Sequence, residues 1–374
     1  MISVARASLV HEWRRYLAAV LAVTFAGLLL TVQLALLLGM FGTVSVIIDQ
    51  SSADLWLGFR NTQSVDLGRP VNPASASRAW MHPGVSRVEP YLYAYGDLRR
   101  DDGVPVSVLI NAIDTSHRSL ALSELLTPEQ RSLLREPDAM LIDAADLGKL
   151  DASIGTVVEI NGKRARIAGI VEGLRAIGGA NVVTSFATAR SISPSEGNHV
   201  TFYLISVRPG YDAAAVARDI ADQRQTPQYS VWLADELSVQ SQAYWLLESG
   251  SGIGTGFASL LALIVGIVIT SQTLSGAIMA SIKEYAAMRA LGVPLRSLRA
   301  IVIEQALWVG VMGLAITAAL TGLTAWLGHT WRISMSFPWW MLVSVAILLL
   351  LISAISGLIS LRPLLRAQPA SLLR

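Results

Sequence analysis

Residues 16–48 read YLAAVLAVTFAGLLLTVQLALLLGMFGTVSVII, which is 33 residues without a single Asp, Glu, Lys, Arg or His. A helix needs about 20 apolar residues to cross a bilayer, so this run is long enough. Inside a bilayer every backbone amide must be bonded internally, which a continuous helix achieves and an open strand does not. The run therefore predicts a membrane-spanning helix. Its length, well beyond that of a signal-peptide core, favours a retained anchor.

Three further runs of the chain also lack charged residues and histidine. They cover residues 249–282, 305–328 and 333–361. One such run could be a buried core helix, but four of this length favour membrane spans. The composition agrees, because 53% of the 374 residues are hydrophobic and only 15% are charged, against about 25% charged in soluble domains. A freely soluble enzyme and a disordered chain are both disfavoured.

The basic residues near the ends of the four runs predict the orientation of the chain, because short cytoplasmic segments are enriched in Lys and Arg. Those on the segments predicted to be cytoplasmic are Arg6, Arg14, Arg15, Lys283, Arg289, Arg296, Arg299, Arg362, Arg366 and Arg374. The link between the last two runs carries only Arg332. Both termini and the 283–304 loop are thus expected in the cytoplasm, and residues 49–248 outside. Four tryptophans near the outer ends of the last two spans suit an interfacial belt or ordinary helix packing: Trp326, Trp331, Trp339 and Trp340.

The predicted fold class is a membrane protein with four transmembrane α-helices and a large extracytoplasmic mixed α/β domain inserted between the first and the second. The predicted segments are a cytoplasmic amphipathic tail (1–15), TM1 and stalk (16–48), the extracytoplasmic domain (49–248), TM2 (249–282), a cytoplasmic coupling loop (283–304), TM3 (305–328), a short extracytoplasmic loop (329–336), TM4 (337–361) and a cytoplasmic tail (362–374).

The segment predicted to lie outside the membrane has the pattern of a mixed α/β domain. Asn161-Gly162 lies between two short strand-like runs, which predicts a type I′ hairpin. The stretch from Thr127 to Gln130 combines an N-cap, a proline at the first helical position and a capping-box glutamine, so a helix should follow. The segment is acidic, with 18 Lys and Arg against 24 Asp and Glu in residues 49–248.

No catalytic or metal-binding pattern emerges from the sequence. The chain has no cysteine, and its histidines lack the spacing of metal ligands. Its three lysines are Lys149, Lys163 and Lys283, and none follows the glycine pattern of a P-loop. We therefore expect a non-enzymatic chain without a cofactor or metal of its own. Membrane lipids are expected partners and nucleic acids are not.

Several residues of the spans are candidates for helix packing or for a substrate path. Gly252 and Gly256 form a GxxxG pattern at the start of the second span, which suits close helix packing or simple linker flexibility. Polar residues make the inner half of that span unusual: Thr270, Gln272 and Ser275, with Gln33 in the first span. Interhelical hydrogen bonding is one explanation for them, and a substrate path is the other.

The segment after the second span is short, charged and rich in helix formers, and it begins with Lys283-Glu284-Tyr285. Gly292-Val293-Pro294 interrupts it. This pattern indicates a small helix held against the membrane and exposed to a cytoplasmic partner. The alternative is a solvated connector whose basic residues serve only the topology.

The stretch EYAAMRALG at 284–292 resembles a signature of the FtsX-like, MacB-type ABC permease family, although Tyr285 and Met288 replace the commoner small or aliphatic residues. The carboxyl-terminal RAQPASLLR at 366–374 is similar to the usual ending of that family, and the order of spans and outer domain agrees. Within the family, VQL at 32–34 and SADLWL at 52–57 look like the DevC-like branch, which is associated with tripartite export.

The resemblance implies that residues 283–299 form the coupling helix that docks on a separate ABC ATPase subunit, which would bind the ATP. The residues it assigns to ATPase coupling are Lys283, Glu284, Tyr285, Met288, Arg289, Leu291, Gly292, Pro294 and Arg296. It further implies a homodimer in the bacterial cytoplasmic (inner) membrane, transmission of ATPase motion to the outer domain (mechanotransmission), a periplasmic adaptor (membrane-fusion) protein and an outer-membrane channel.

Three functions remain open from the sequence. The first is a permease subunit of an ATP-driven exporter. The second is a non-transporting FtsX-like regulator that passes ATPase motion to an extracytoplasmic hydrolase. The third, a membrane-anchored enzyme or sensor, lacks a catalytic set of residues. No pattern in the sequence identifies the cargo, whether lipid, glycolipid, haem, peptide or drug.

Overall fold

The computed structural model describes residues 13–100, 102–176, 179–193, 199–221, 228–281, 284, 287–289, 291–331, 333 and 335–360. The chain divides into two compact units. One comprises residues 1–39 and 253–374, and the other residues 40–252. The amino-terminal tail before residue 13 and the carboxyl-terminal motif at 366–374 lie outside the described residues.

The first unit consists of long apolar helices. They are α1 (Trp13–Asp49), α8 (Gly250–Ala280), α9 (Leu295–Thr330) and α10 (Trp339–Ser360). The last residues of α1 and the first residues of α8 belong to the other unit. Among the described residues these four are long and apolar enough to cross a membrane. Their core joins Ala26 of α1, Val309 of α9 and Val345 of α10. The four expected spans are therefore present.

Helix α9 begins ten residues before the charge-free run that predicted it. Residues 295–304, assigned to the loop from the sequence, form its first turns. Pro294 precedes the helix with an extended backbone, ψ 147°. A hydropathy pattern detects only the apolar part of a helix, so the charged residues of these first turns were not assigned to it.

The four tryptophans near the ends of the last two spans are all exposed: Trp326, Trp331, Trp339 and Trp340.

The second unit is the mixed α/β domain expected from the sequence. Its strands in the described residues are β1 (Leu55–Phe59), β2 (Val85–Arg99), β3 (Pro105–Ile113), β4 (Ala139–Asp143), β5 (Val157–Ile160), β6 (Lys163–Val171), β7 (Ala180–Ser185), β8 (Phe202–Val207) and β9 (Tyr229–Leu233). Its helices are α2 (Ser77–Met81), α3 (Pro128–Leu133), α4 (Leu147–Leu150), α5 (Phe186–Ile192), α6 (Ala213–Ile220) and α7 (Ala234–Leu247). Short 3₁₀ turns cover Val65–Leu67 and Pro73–Ala76.

The 15-residue strand β2 belongs to two sheets. Its first half pairs with β8, which continues through β1 to β9 in an antiparallel sheet. Its second half pairs with both β3 and β5. Because β7, β4 and β6 connect β3 to β5, six strands close into a ring. The domain thus has two lobes that share one strand.

Two local predictions for this domain are confirmed. Ile160 pairs with Lys163 across the predicted hairpin, and Asn161 and Gly162 have φ of 51° and 76°, as a type I′ turn requires. Thr127 forms the capping box with Gln130 at the start of α3. The hairpin turn and the capping box each depend on residues that are close together in the sequence.

Candidate functional site

The described part of the predicted coupling segment ends in a helix stop made by Gly292. Glu284 and residues 287–289 are helical. The amide of Val293 donates to the Met288 carbonyl oxygen at 3.1 Å, and the amide of Gly292 donates to that of Arg289 at 3.1 Å. This pair of bonds is the Schellman pattern, in which the residue at Gly292 must adopt a left-handed conformation. Its φ is +90°, which explains why glycine stands there.

Some of the predicted coupling residues pack against the core of the helical unit, and others are exposed. Met288 packs against the core of the helical unit together with Val293. Leu291 projects outward and is 86% exposed. Exposed positions continue at Gly292, Pro294 and Arg296, the last in the first turns of α9. Arg289 is half-buried, while Lys283 and Tyr285 lie outside the described residues.

Glu284 forms an ion pair that the sequence did not reveal. Its carboxylate accepts from the guanidinium of Arg15 at 3.3 Å, and both side chains are about half exposed, at 51% and 42%. Arg15 lies in the first turns of α1. The pair therefore links the start of α1 to the predicted coupling segment within the helical unit.

The other end of α1 is tied to α7 inside the α/β unit. Asp49, the last residue of α1, accepts from the Ser45 hydroxyl at 2.7 Å and from the Ser238 hydroxyl at 2.6 Å. The Gln242 side-chain amide donates to the Ser45 hydroxyl at 2.7 Å. We call Ser45, Asp49, Ser238 and Gln242 the polar clasp. It joins the helix that enters the domain to the helix that leaves it.

Between α7 and α8 the chain bends at Ser249. The Ser249 hydroxyl donates to the Trp245 carbonyl oxygen and accepts from the Gly252 amide at 3.1 Å. The Ser249 side chain therefore forms hydrogen bonds with both the end of α7 and the start of α8. A Cβ atom at Gly252 would collide with the carbonyl oxygens of Trp245 and Leu246. Gly252 is thus required by the bend, whereas the sequence pattern offered close helix packing or linker flexibility for it.

The remaining packing or path candidates do not gather at one place. A Cβ atom added to Gly256 would meet no atom within 4 Å, so this glycine makes no close helix contact with the described part of the chain. Thr270 is buried, Gln272 is exposed and Ser275 and Gln33 are half-buried. A polar path through α8 gains no support from these positions.

One close helix contact of the membrane unit lies between α1 and α9. The Thr24 hydroxyl donates to the Gly313 carbonyl oxygen, and the Thr317 hydroxyl donates to that of Thr24, each at 3.3 Å. A Cβ at Gly313 would fall 2.6 Å from Val23, and one at Gly27 would fall 2.7 Å from Thr317. Small and hydroxyl residues that let helices approach are therefore present in α1 and α9. In α8 the close contact is made by Gly266, which faces Ala26 of α1, and not by the predicted Gly256.

A buried ionic cluster holds the loop that follows β3 in the α/β unit. Glu89 is 1% exposed and accepts from the Ser119 hydroxyl at 2.6 Å and the Leu120 amide at 2.7 Å. Arg131, 3% exposed, donates to the carbonyl oxygens of Ala121 and Leu122. Burial lowers the pKa of Arg131, and the charges of Glu89 and Asp114 oppose that shift. Among the described residues, His, Asp and Glu form no group able to hold a metal ion.

Comparison with known families decides the identity of this architecture. Residues 16–223, more than half of the chain, match the family model of the MacB-like periplasmic core domain. Residues 256–369 match that of the FtsX-like permease C-terminal domain.

This chain belongs to the FtsX-like, MacB-type ABC transporter permeases.

A permease relative and two solved domains are also similar to this FtsX/MacB-type permease. An uncharacterized ABC transporter permease of Methanocaldococcus jannaschii is 24% identical over 249 residues, which are 62% of this chain and 60% of the relative. The match thus spans less than two thirds of that protein.

The periplasmic region of MacB from Actinobacillus actinomycetemcomitans aligns with a TM-score of 0.36 and 11% identity, over 50% of this chain and 92% of that one. The extracellular domain of the noncanonic ABC-type transporter YknZ from Gram-positive bacteria aligns with a TM-score of 0.35 and 12% identity, over 48% and 98%. Membership of the family rests on the family models and not on these scores.

Proposed function

We propose that this permease is the membrane subunit of an ATP-driven exporter in which a separate ABC ATPase binds the coupling segment and supplies the motion. The observation that carries the proposal is α1, a single helix from Trp13 to Asp49. At 1.5 Å per residue its 37 residues extend about 55 Å. One end bears the Arg15–Glu284 ion pair and the other bears the polar clasp.

A continuous helix with a fixed contact at each end is suited to mechanotransmission. Displacement of the coupling segment would act on Arg15 through Glu284, which is bonded to it. Because the backbone of α1 is hydrogen-bonded throughout, it would move as a rod rather than absorb the displacement. The polar clasp would then pass the movement to α7. The family supports an ATPase as the source of that displacement.

We further propose the inner membrane of a bacterium as the location, with both termini and the coupling segment in the cytoplasm. The Lys and Arg bias of the short segments supports this orientation. Two copies would assemble, since an ABC ATPase works as a dimer. The DevC-like stretches at 32–34 and 52–57 favour a tripartite assembly with a periplasmic adaptor and an outer-membrane channel.

The test is copurification of the full chain with its ATPase, followed by ATP hydrolysis in reconstituted membranes. Glu284→Arg and Arg289→Glu should each lower the amount of bound ATPase at least fivefold. Arg118→Glu, a charge reversal on an exposed residue of the α/β unit, is the matched control and should change nothing. Absence of an ATPase from the wild-type preparation, or equal binding by all variants, would refute the proposal.

A transport measurement with the same vesicles separates the exporter from the mechanical regulator. An exporter moves cargo across the membrane when ATP is added. A regulator hydrolyses ATP through its partner and leaves every solute distribution unchanged.

A further inference from the structure

The α/β unit contains a cavity of about 200 Å³ that the proposed coupling does not use. It lies beside the end of α1, the 3₁₀ turn Val65–Leu67, β2 and α7. Its lining residues are Thr43, Val44, Ile47, Asp66, Tyr93, Tyr95, Leu109, Ala176, Asn181 and Trp245. Three of them are aromatic, one is a carboxylate and none is basic.

The aromatic side chains are held in fixed positions. The Tyr93 and Tyr95 rings meet edge to face, with centroids 5.7 Å apart and planes at 90°. The Tyr95 hydroxyl donates to the main-chain oxygen of Asp66 at 3.0 Å. The Trp245 indole nitrogen donates to both carboxylate oxygens of Asp66, at 3.1 and 3.2 Å. Tyr93 is buried and Tyr95 is 55% exposed, so the wall runs from the interior to the surface.

The Asp66 carboxylate has neutral partners only. It accepts from the Trp245 indole and from the Ser64 hydroxyl, and no salt bridge to it forms among the described residues. These donors orient the carboxylate without cancelling its charge. Its field reaches the cavity wall: burial is the main cause of the raised pKa of Tyr93 and Tyr95, and the charge of Asp66 adds to both shifts.

We propose that this cavity binds the alkylammonium group of a small organic cation. Aromatic faces attract such cations, and the attraction is stronger where water is excluded. A carboxylate without a cationic partner adds a charge of the right sign and repels anions. The volume suits the group, since a cavity of about 150 Å³ holds benzene. A single carboxylate among aromatic rings is a poor site for a metal ion, which needs several oxygen ligands.

The test compares choline with its neutral carbon isostere, 3,3-dimethylbutan-1-ol, by ligand-observed NMR titration of the full chain in neutral detergent. Choline should bind at least about tenfold more tightly than the isostere, because a cation–π contact and a charge pair are lost with the positive charge. Glycerophosphocholine is the third ligand. Its binding would identify a lipid headgroup as a source of the ammonium group, and its failure would identify a free cation.

Two variants examine the site directly. Asp66→Asn keeps an acceptor for the Trp245 indole but removes the charge, and it should weaken choline at least about tenfold while leaving the isostere unchanged. Tyr95→Leu removes one aromatic wall at an exposed position and should weaken choline severalfold. Asp151→Asn is the matched control, because Asp151 is exposed and has the left-handed backbone that asparagine tolerates.

Three results would overturn the proposal. The first is that the wild-type chain does not bind choline. The second is that it binds choline and the isostere with equal affinity. The third is that Asp66→Asn keeps the full affinity for choline. The second needs only the wild-type chain, so it holds even if a variant fails to fold. None of them requires the ATPase, so failure here is independent of the proposed coupling.

Discussion

Two connections join the α/β domain to the spans, and they are built differently. The entering connection is α1, which runs from Trp13 to Asp49 without a break. The leaving connection is α7 followed by α8, with the bend at Ser249 between them. Residues 40–49 of the first and residues 234–252 of the second belong to the same unit. The entering connection is one continuous helix, called the rod below. The leaving connection is interrupted at Ser249, and this interruption is called the joint.

In the proposed mechanism the two connections would have different roles. A rod transmits displacement along its axis, whereas a joint permits a change of angle at a small cost. If both connections were rods, the polar clasp would hold the domain at one fixed angle to two helices. If both were jointed, displacement at the coupling segment would be absorbed before it reached β1. In the proposed exporter, movement of α1 would therefore change the angle at Ser249.

The largest effect is expected from a break in the rod. Met40→Pro removes one backbone hydrogen bond within α1 and places the ring against the preceding turn, at a cost of about 3 kcal/mol or more. Amide protons of residues 41–44 should then exchange about a hundredfold faster, as measured by hydrogen exchange with mass spectrometry. In the proposed exporter the same variant should bind the ATPase and hydrolyse ATP without moving cargo.

Met40→Ala is the control for this variant, because it changes the same side chain and keeps the helix. Its exchange should stay close to the wild type. Transport that survives in Met40→Pro would show that α1 is not the transmitting element.

An intermediate effect is expected from loss of the polar clasp. Asp49→Ala removes the acceptor of the Ser45 and Ser238 hydroxyls. Hydrogen bonds to a charged group contribute about 1.5–3 kcal/mol, and the exposure of Asp49 places this one near the lower limit. The free energy of unfolding of the α/β unit, from denaturant titration of the full chain, should fall by about 1–2 kcal/mol.

A double-mutant cycle with Ser238→Ala isolates the bond itself from other effects of either substitution. Coupling of about 1 kcal/mol is expected for residues in direct contact. A coupling near zero would mean that the clasp does not tie α1 to α7.

Much of this architecture was predictable from short stretches of sequence. The four spans follow from runs without charge, since burial in hydrocarbon constrains every residue of a span. The hairpin at Asn161-Gly162 and the capping box at Thr127 follow from contacts within a few residues. The signature at 284–292 also has a local reason at its end, because Gly292 must adopt positive φ.

The features that the sequence did not reveal depend on partners distant in the chain. No sequence pattern marks Glu89 and Arg131. They lie in β2 and α3, and both bind the buried loop that follows β3. Arg15 pairs with Glu284, 269 positions away. A GxxxG pattern describes one face of one helix and does not say which helix packs on it. The pattern at Gly252 and Gly256 therefore did not lead to the close contacts at Gly27 and Gly313. The bend at Ser249 lies at the first residue of the predicted second span, and the hydrogen bonds that form it could not be predicted from the sequence.

The smallest effect is expected at the joint, where Ser249→Ala removes the hydroxyl that serves α7 and α8. Loss of a cap costs about 0.5–2 kcal/mol, and the lower part of this range applies because the joint is already a weak point of the helix. Amides of residues 250–253 should exchange severalfold faster, while those of residues 40–49 keep their wild-type rates. Ser132→Ala, a change at an exposed helix residue of the same unit, is the control. Equal acceleration at residues 40–49 would show that the joint and the rod open together, and the two connections would then act as one mechanical element.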